Sequence, residues 1–281
     1  AYPYPWTDPM SQQNTPPKRE RRDAARAQRL EQEQAAAAVD ARRKRLTRLG
    51  ALLAAAAVVV VVAIVISSGG SEKKSSGAGS GGALQGVAET KSLFAGIPQK
   101  GITLGNPNAP VTIAEFADPQ CPFCKDYTLN EMPALVEKYV RTGKAKMELR
   151  LLSFIGPDSV TAASVLTAAG QQNKLWNATD LFYRNQGEEN TGYVTDDFLT
   201  EVLNGAGADA KKAIAGAGDP AVSQELAEAK TLSSRYNVTG TPTVLVGSTG
   251  GDLKKSGGEG LPTAASVGKQ IDAALAAKGG E

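Results

Sequence analysis

FADPQCPFCKDYTLNEMPALVEKY, residues 116–139, holds both cysteines of the chain, Cys121 and Cys124. The run before them, VTIAEFA (111–117), is β-branched and apolar with one interruption, the pattern of a buried strand. The turn DPQCP follows. Pro122 suits the first helical position, which needs no amide donor. Leu129, Met132, Leu135, Val136, Tyr139 and Val140 then recur at three- and four-residue steps, which predicts a helix to about Arg141, stopped by Gly143. KAKMELRLL (144–152) reads as a second strand. The cysteine pair therefore falls where a buried strand turns into a helix.

Three uses are open to such a pair. A structural staple gains stability by closing a loop in the unfolded chain, and a four-residue loop gains little. A zinc site needs about four ligands, usually Cys and His; this chain has two Cys and no His, so carboxylates would have to complete it. The redox reading fits best. At a helix N-terminus, unpaired amide donors and the positive end of the dipole favour a thiolate, the nucleophile of disulfide exchange. Cys121 is then the attacking residue, expected to be exposed, and Cys124, one turn later, the covered resolving one.

Further along, residues 157–215 are Ala-rich with glycine breaks and no strand pattern, which predicts a block of helices. A helix over 220–236 follows. TPTVLVG (241–247) reads as a strand entered through a proline, 250–256 as a hairpin partner, and 263–277 as an amphipathic helix. The order β-α-β, helices, α-β-β-α is a mixed-sheet α/β plan. Trp176, Phe182 and Tyr183 read as core. Phe154, Ile155 and Pro157 read as core or loop packing rather than as the rim of a groove.

The N-terminal part has a different character. Residues 1–49 carry 11 Lys/Arg against 6 Asp/Glu, although the whole chain is only +2. Residues 1–17 are expected to be a disordered tail and 18–48 a charged, cytoplasmic helix. GALLAAAAVVVVVAIVI (50–66) has no charge between Arg48 and Glu72; as a helix it spans roughly 25 Å, near the lower limit for a bilayer. With its flanks it is read as a single transmembrane anchor over 49–67. The basic side places the N-terminus in the cytoplasm and the remainder outside the cell membrane. A cleaved signal peptide is the alternative. A Gly/Ser linker is assigned to 68–90, and the globular domain to 91–281. The basic excess suits a membrane surface; no nucleic-acid partner, metal site or cofactor is read from the chain.

GNPNAPVTIAEFADPQCPFC (105–124), LWNATDLFYRNQGEENTGYVTDDFL (175–199) and VTGTPTVLVG (238–247) together resemble the membrane-anchored DsbA-like thiol–disulfide oxidoreductases of high-GC Gram-positive bacteria. The resemblance covers about residues 98–277. It implies a thioredoxin-like fold with an inserted helical subdomain, about 156–218, behind a single transmembrane helix. It implies Cys121 as nucleophile, Cys124 as resolving cysteine, and Pro242 as a cis-proline facing the pair, with Pro122, Phe123 and Thr241 on the substrate-binding side. Glu115 matches a buried acid that moves protons beneath the site; on physical grounds a carboxyl there should have a raised pKa, whereas an edge-strand glutamate would face water. The implied partners are reduced or unfolded exported proteins and a membrane reoxidant of the VKOR-like type. Phe123 stands where strong oxidants carry a histidine, so the resemblance implies less thiolate stabilisation and a potential less oxidising than about −120 mV. That departure, with Thr241 before the proline as in reductases and isomerases of the superfamily, leaves the direction of electron flow open, so a reductase or isomerase is one alternative. A membrane-tethered peptide-binding chaperone with an inert disulfide is another, from a different class.

Overall fold

A computed structural model describes residues 84–257 and 260–278. The stretches read as tail, charged helix and anchor (49–67), and residues 68–83 of the linker, lie outside the described residues. Among the described residues no helix is long and apolar enough to cross a membrane.

The chain opens with α1 (Val87–Phe94) and a hairpin of two short strands, β1 (Gln99–Lys100) and β2 (Thr103–Leu104). Next come β3 (Val111–Ala117), helix α2 from Pro122, and β4 (Ala145–Leu151). Four helices follow, α3 (Pro157–Gly170), α4 (Leu175–Arg184), α5 (Asp196–Gly205) and α6 (Ala210–Ala215). The chain then returns through α7 (Pro220–Arg235), β5 (Thr243–Ser248), β6 (Lys254–Lys255) and α8 (Ala264–Lys278).

The strands form one sheet in the order β1-β2-β4-β3-β5-β6. β3 is parallel to β4 and antiparallel to β5. With a strand on either side and helices over both faces, every residue of β3 is buried, which is why it reads as an apolar run rather than an alternating one. Val111, Ile113 and Ala117 join the core that also holds both cysteines, α2 and α8. Ala114 and Phe116 point the other way and pack with Leu245 beneath Leu232 and Tyr236 of the α7 side. Glu115, odd-numbered in the strand, shares the cysteine side.

Helix α2 is not regular. It begins as Pro122–Asp126, widens into a π turn at Tyr127–Glu131, tightens at Met132–Leu135 and widens again at Val136–Val140. Pro133 has no amide proton for the carbonyl four residues back, and the Met132 amide instead bonds the Tyr127 carbonyl, a five-residue step that accommodates the missing donor. Tyr139 and Val140 stay buried at its far end.

The expected helical insertion is present as α3–α6. Ala162, Ala163, Ala168 and Ala169 of α3 are buried, and their small side chains let the helices approach closely. Residues 175–183 of α4 are buried throughout, so α4 is the central element of the insertion, and Trp176, Phe182 and Tyr183 belong to the core as read. Two boundaries differ from the sequence reading. Helix α1 begins at Val87, inside the stretch assigned to the linker, and Thr90 donates a hydrogen bond to the buried Asp180 of α4. The strand expected over 250–256 pairs only at Lys254–Lys255.

Candidate active site

β3 ends at Ala117, and residues 118–121 carry the chain over to α2. Cys121 is the N-cap of α2, in an extended conformation with φ −68° and ψ 119°. Its carbonyl accepts from the amides of Cys124 at 3.1 Å and Lys125 at 3.2 Å, which closes the first turn. Cys124 thereby falls one turn on, fully buried, while Cys121 keeps 5 % of its surface. The reading expects a more open Cys121; its sulfur lies instead beside the Thr241 backbone. The Thr241–Pro242 peptide is cis, as expected, and the Cys121 thiol donates to the Thr241 carbonyl at 3.3 Å.

The two sulfurs are pushed apart in acidity. A hydrogen bond from the Cys124 side chain, with help from the Thr241 side chain and the amides of Cys124 and Phe123, lowers Cys121 from an ordinary thiol to about 6, against the opposing effect of burial. Burial, then the hydrogen bond to and charge of Cys121, push Cys124 well above the usual thiol range. One sulfur is therefore a thiolate at neutral pH and its neighbour a thiol, the asymmetry that disulfide exchange requires.

Glu115 lies in the central strand, opposite Leu149 of β4 and Val244 of β5, so the water-facing edge alternative does not hold. It is 1 % exposed, and neither carboxylate oxygen has a partner among the described residues. Burial alone raises its carboxyl to about 8. Its charge acts on the buried hydroxyls of Tyr127 and Tyr183, and Tyr183 also senses Cys124. A protonated acid is thus held on the cysteine side of the sheet.

Pro122 and Phe123 face outward, Phe123 being 57 % exposed. Phe154, read as packed, is 59 % exposed instead. Its amide is held at 2.9 Å by Asp118 Oδ2, which brings its loop beside the turn before Cys121. The structure thus brings Cys121, Cys124, Thr241 and Pro242 together, with Pro122, Phe123 and Phe154 on the outer side.

Residues that the sequence reading did not assign hold the turn in place. Asp118 is fully buried and accepts from the amides of Gln120, Phe154 and Ile155 and from Ser159 Oγ at 2.6 Å. Gln120 reaches Ser159 at 3.0 Å, and its side-chain oxygen takes the Asn190 amide at 2.7 Å. The only local signal is Asp118 itself, a turn-forming residue whose carboxylate can bond the amide two residues on.

Residues 98–271 match the family described as thioredoxin. The chain is 33 % identical over 103 residues to the probable disulfide bond formation protein D of Bacillus cereus, a match covering 36 % of this chain and 48 % of that protein. The chain thus spans about half the length of the curated relatives it matches first. Among solved structures, the fold is similar to oxidised BdbD from Bacillus subtilis (TM-score 0.55, 19 % identity, covering 64 % of this chain and 97 % of that one). It is also similar to α-DsbA1 from Wolbachia pipientis (TM-score 0.53, 18 % identity, covering 67 % and 96 %).

Proposed function

The chain belongs to the thioredoxin family, and within it we propose a thiol–disulfide oxidoreductase that passes its Cys121–Cys124 disulfide to reduced protein substrates. The observation that carries this reading is the split between the two sulfurs, Cys121 lowered to about 6 at a helix N-cap against the cis-proline loop and Cys124 held as a buried thiol.

In the oxidised protein a substrate thiolate attacks the Cys121 sulfur. The Cys121–Cys124 bond breaks, a mixed disulfide forms, and Cys124 leaves with the electron pair. Because a buried Cys124 disfavours charge, it takes up a proton. Glu115, protonated near neutral pH on the same side of the sheet, is proposed to supply it; its raised pKa supports this role. A second substrate thiolate then attacks the substrate sulfur of the mixed disulfide, and Cys121 departs as a stabilised thiolate. The substrate loses two electrons and gains a disulfide; the protein ends as thiolate and thiol.

The uncharged run over 49–67 with its basic N-terminal side supports a single-pass anchor, with the N-terminus cytoplasmic and the catalytic domain outside the membrane. The substrates are then reduced or unfolded exported proteins, and a membrane-bound oxidant, of the VKOR-like type on family resemblance, restores the disulfide. Protease protection of sealed membrane vesicles tests the topology. For the activity, the full chain is oxidised and mixed with a reduced, unfolded test protein. Stoichiometric disulfide transfer that vanishes in Cys121→Ser supports the reading. Transfer unaffected by that change sinks it, and a pair too reducing to donate its disulfide makes the protein a reductase.

A further inference from the structure

We propose that Gln186 is a further positioning residue of the active-site turn, its side-chain amide tying down the Pro119 and Cys121 carbonyls beside the reactive sulfur. The proposal deepens the dithiol reading above and rests on it.

Gln186 lies just beyond the C-terminus of α4. Its Nε2 donates to the Pro119 carbonyl at 2.8 Å and to the Cys121 carbonyl at 3.2 Å, spanning the turn from one side. Among the described residues, no other donor serves the Pro119 carbonyl. Tyr183, in the last turn of α4, donates to the Asp118 carbonyl at 3.0 Å. Side chains from one end of α4 therefore hold three carbonyls of the 118–121 turn. Gln186 is the one that reaches the backbone of Cys121 itself.

The corner that carries it is fixed as well. Asn185 caps α4 through the Leu181 carbonyl at 2.8 Å and pairs in both directions with the backbone of Gln85, at 2.9 and 3.0 Å. The segment leading into α1 thus braces the residue next to Gln186.

A carbonyl carries partial negative charge, and one that swings toward a thiolate opposes it. With both carbonyls engaged by Gln186, the sulfur keeps the amides of Phe123 and Cys124, which favour the charged form, beside the Thr241 carbonyl at 3.3 Å. Without Gln186 the Pro119 carbonyl loses its donor and the Pro119–Gln120 peptide plane is freed to rotate, while the Cys121 carbonyl loses one of three donors. The thiolate loses part of its support while every cysteine and the cis-proline remain in place.

The test is thiolate absorbance of the reduced full chain, in detergent, followed against pH in wild type, Gln186→Leu and the isosteric Gln186→Glu. With two cysteines in the chain and Cys124 held as a thiol, the signal reports Cys121. The leucine variant should move the midpoint up by about half a unit, leaving about threefold less thiolate below it. The glutamate variant, which sets a carboxylate against two carbonyls, should move it further. Unchanged midpoints in folded variants would overturn the proposal. If neither variant folds, the Gln186 side-chain amide resonance of the wild type decides: an inflection at the Cys121 midpoint supports the role, and a flat response overturns it. A wild type with no thiolate below pH 8 fails the dithiol reading instead, so the two failures are distinguishable.

Discussion

Cys121 Sγ lies 3.3 Å from the carbonyl oxygen of Thr241, a residue 120 positions further along the chain. The contact joins the reactive sulfur to the backbone just before β5, where a substrate chain is expected to bind if the dithiol reading holds. The Thr241 side chain acts on the same sulfur, and it works to lower the pKa of both Cys121 and Cys124. Thr241→Val keeps shape and β-branching but removes the hydroxyl. The Cys121 midpoint should rise, and the disulfide should become less oxidising, because the reduced form loses part of its thiolate support. A midpoint that stays or falls would show that the hydroxyl plays no part.

A thiolate near 6 lies between the values of about 7 for thioredoxin and about 3.5 for DsbA. The more stable the thiolate, the more stable the reduced form and the more oxidising the pair. Equilibration in glutathione buffers should therefore give a potential between roughly −270 and −120 mV. The rate of alkylation of the reduced protein should climb through a midpoint near pH 6 and reach a plateau by neutral pH, with Cys124 unlabelled until the protein unfolds. A midpoint above 8 would remove the physical basis for an oxidant.

Glu115 links the site to stability. Its folded pKa, about 8, stands above the 4.5 of an ordinary glutamate, so between those values the folded state binds the extra proton. Stability is therefore greatest at low pH with respect to this group. It falls as pH rises from about 4.5 to about 8 and levels off beyond, by an amount on the order of 4 kcal/mol for a fully buried carboxyl. Glu115→Gln removes the titration. The variant should show a flatter pH–stability profile than wild type and exceed it in stability above pH 8. Glutamine cannot supply a proton, so discharge of the disulfide near pH 7 should slow by roughly a hundredfold. Wild-type rates in this variant would dismiss Glu115 as the proton source.

Local pattern made the position of the cysteine pair legible, because a buried strand, a turn with Pro122 and an apolar helical stripe occupy adjacent residues. The place of Glu115 was not, since central and edge strands differ only in what pairs beside them, and strand order follows from contacts far along the chain. Helix α1 was hidden by composition: VAETKSLF follows a Gly/Ser-rich stretch and carries two buried positions, Thr90 and Phe94. The β1–β2 hairpin has strands of two residues each, too short for an alternation to show. Gln186 and Asp118 act through partners 36 to 67 residues away in one direction or the other, and no periodicity reports such bonds. Phe154 looked like core because apolar residues usually pack; only its tether to Asp118 shows why it stays outside.

The far side of the sheet offers a control that separates stability from chemistry. Arg150 of β4 is 8 % exposed and bonds Glu148 at 3.1 Å, Glu225 at 2.7 Å and Glu228 at 3.2 Å, the last two on α7. Burial works against the Glu148 carboxylate, but Lys146 and Arg150 outweigh it and hold the carboxyl below its usual range. Arg150→Met fills similar space and leaves three carboxylates facing one another without their shared cation. The partners are partly exposed, which screens the repulsion, so the loss should be about 2 kcal/mol rather than the 3–5 of a fully buried pair. That corresponds to a fall in Tm of roughly 4–8 °C for a domain of this size. Arg150 sits opposite Phe116, whose side chain packs away from the cysteines. The Cys121 midpoint and the reduction potential should therefore match wild type. An unchanged Tm would show that the ion cluster contributes nothing net, and a shifted potential would show that the central strands transmit strain from one face of the sheet to the other.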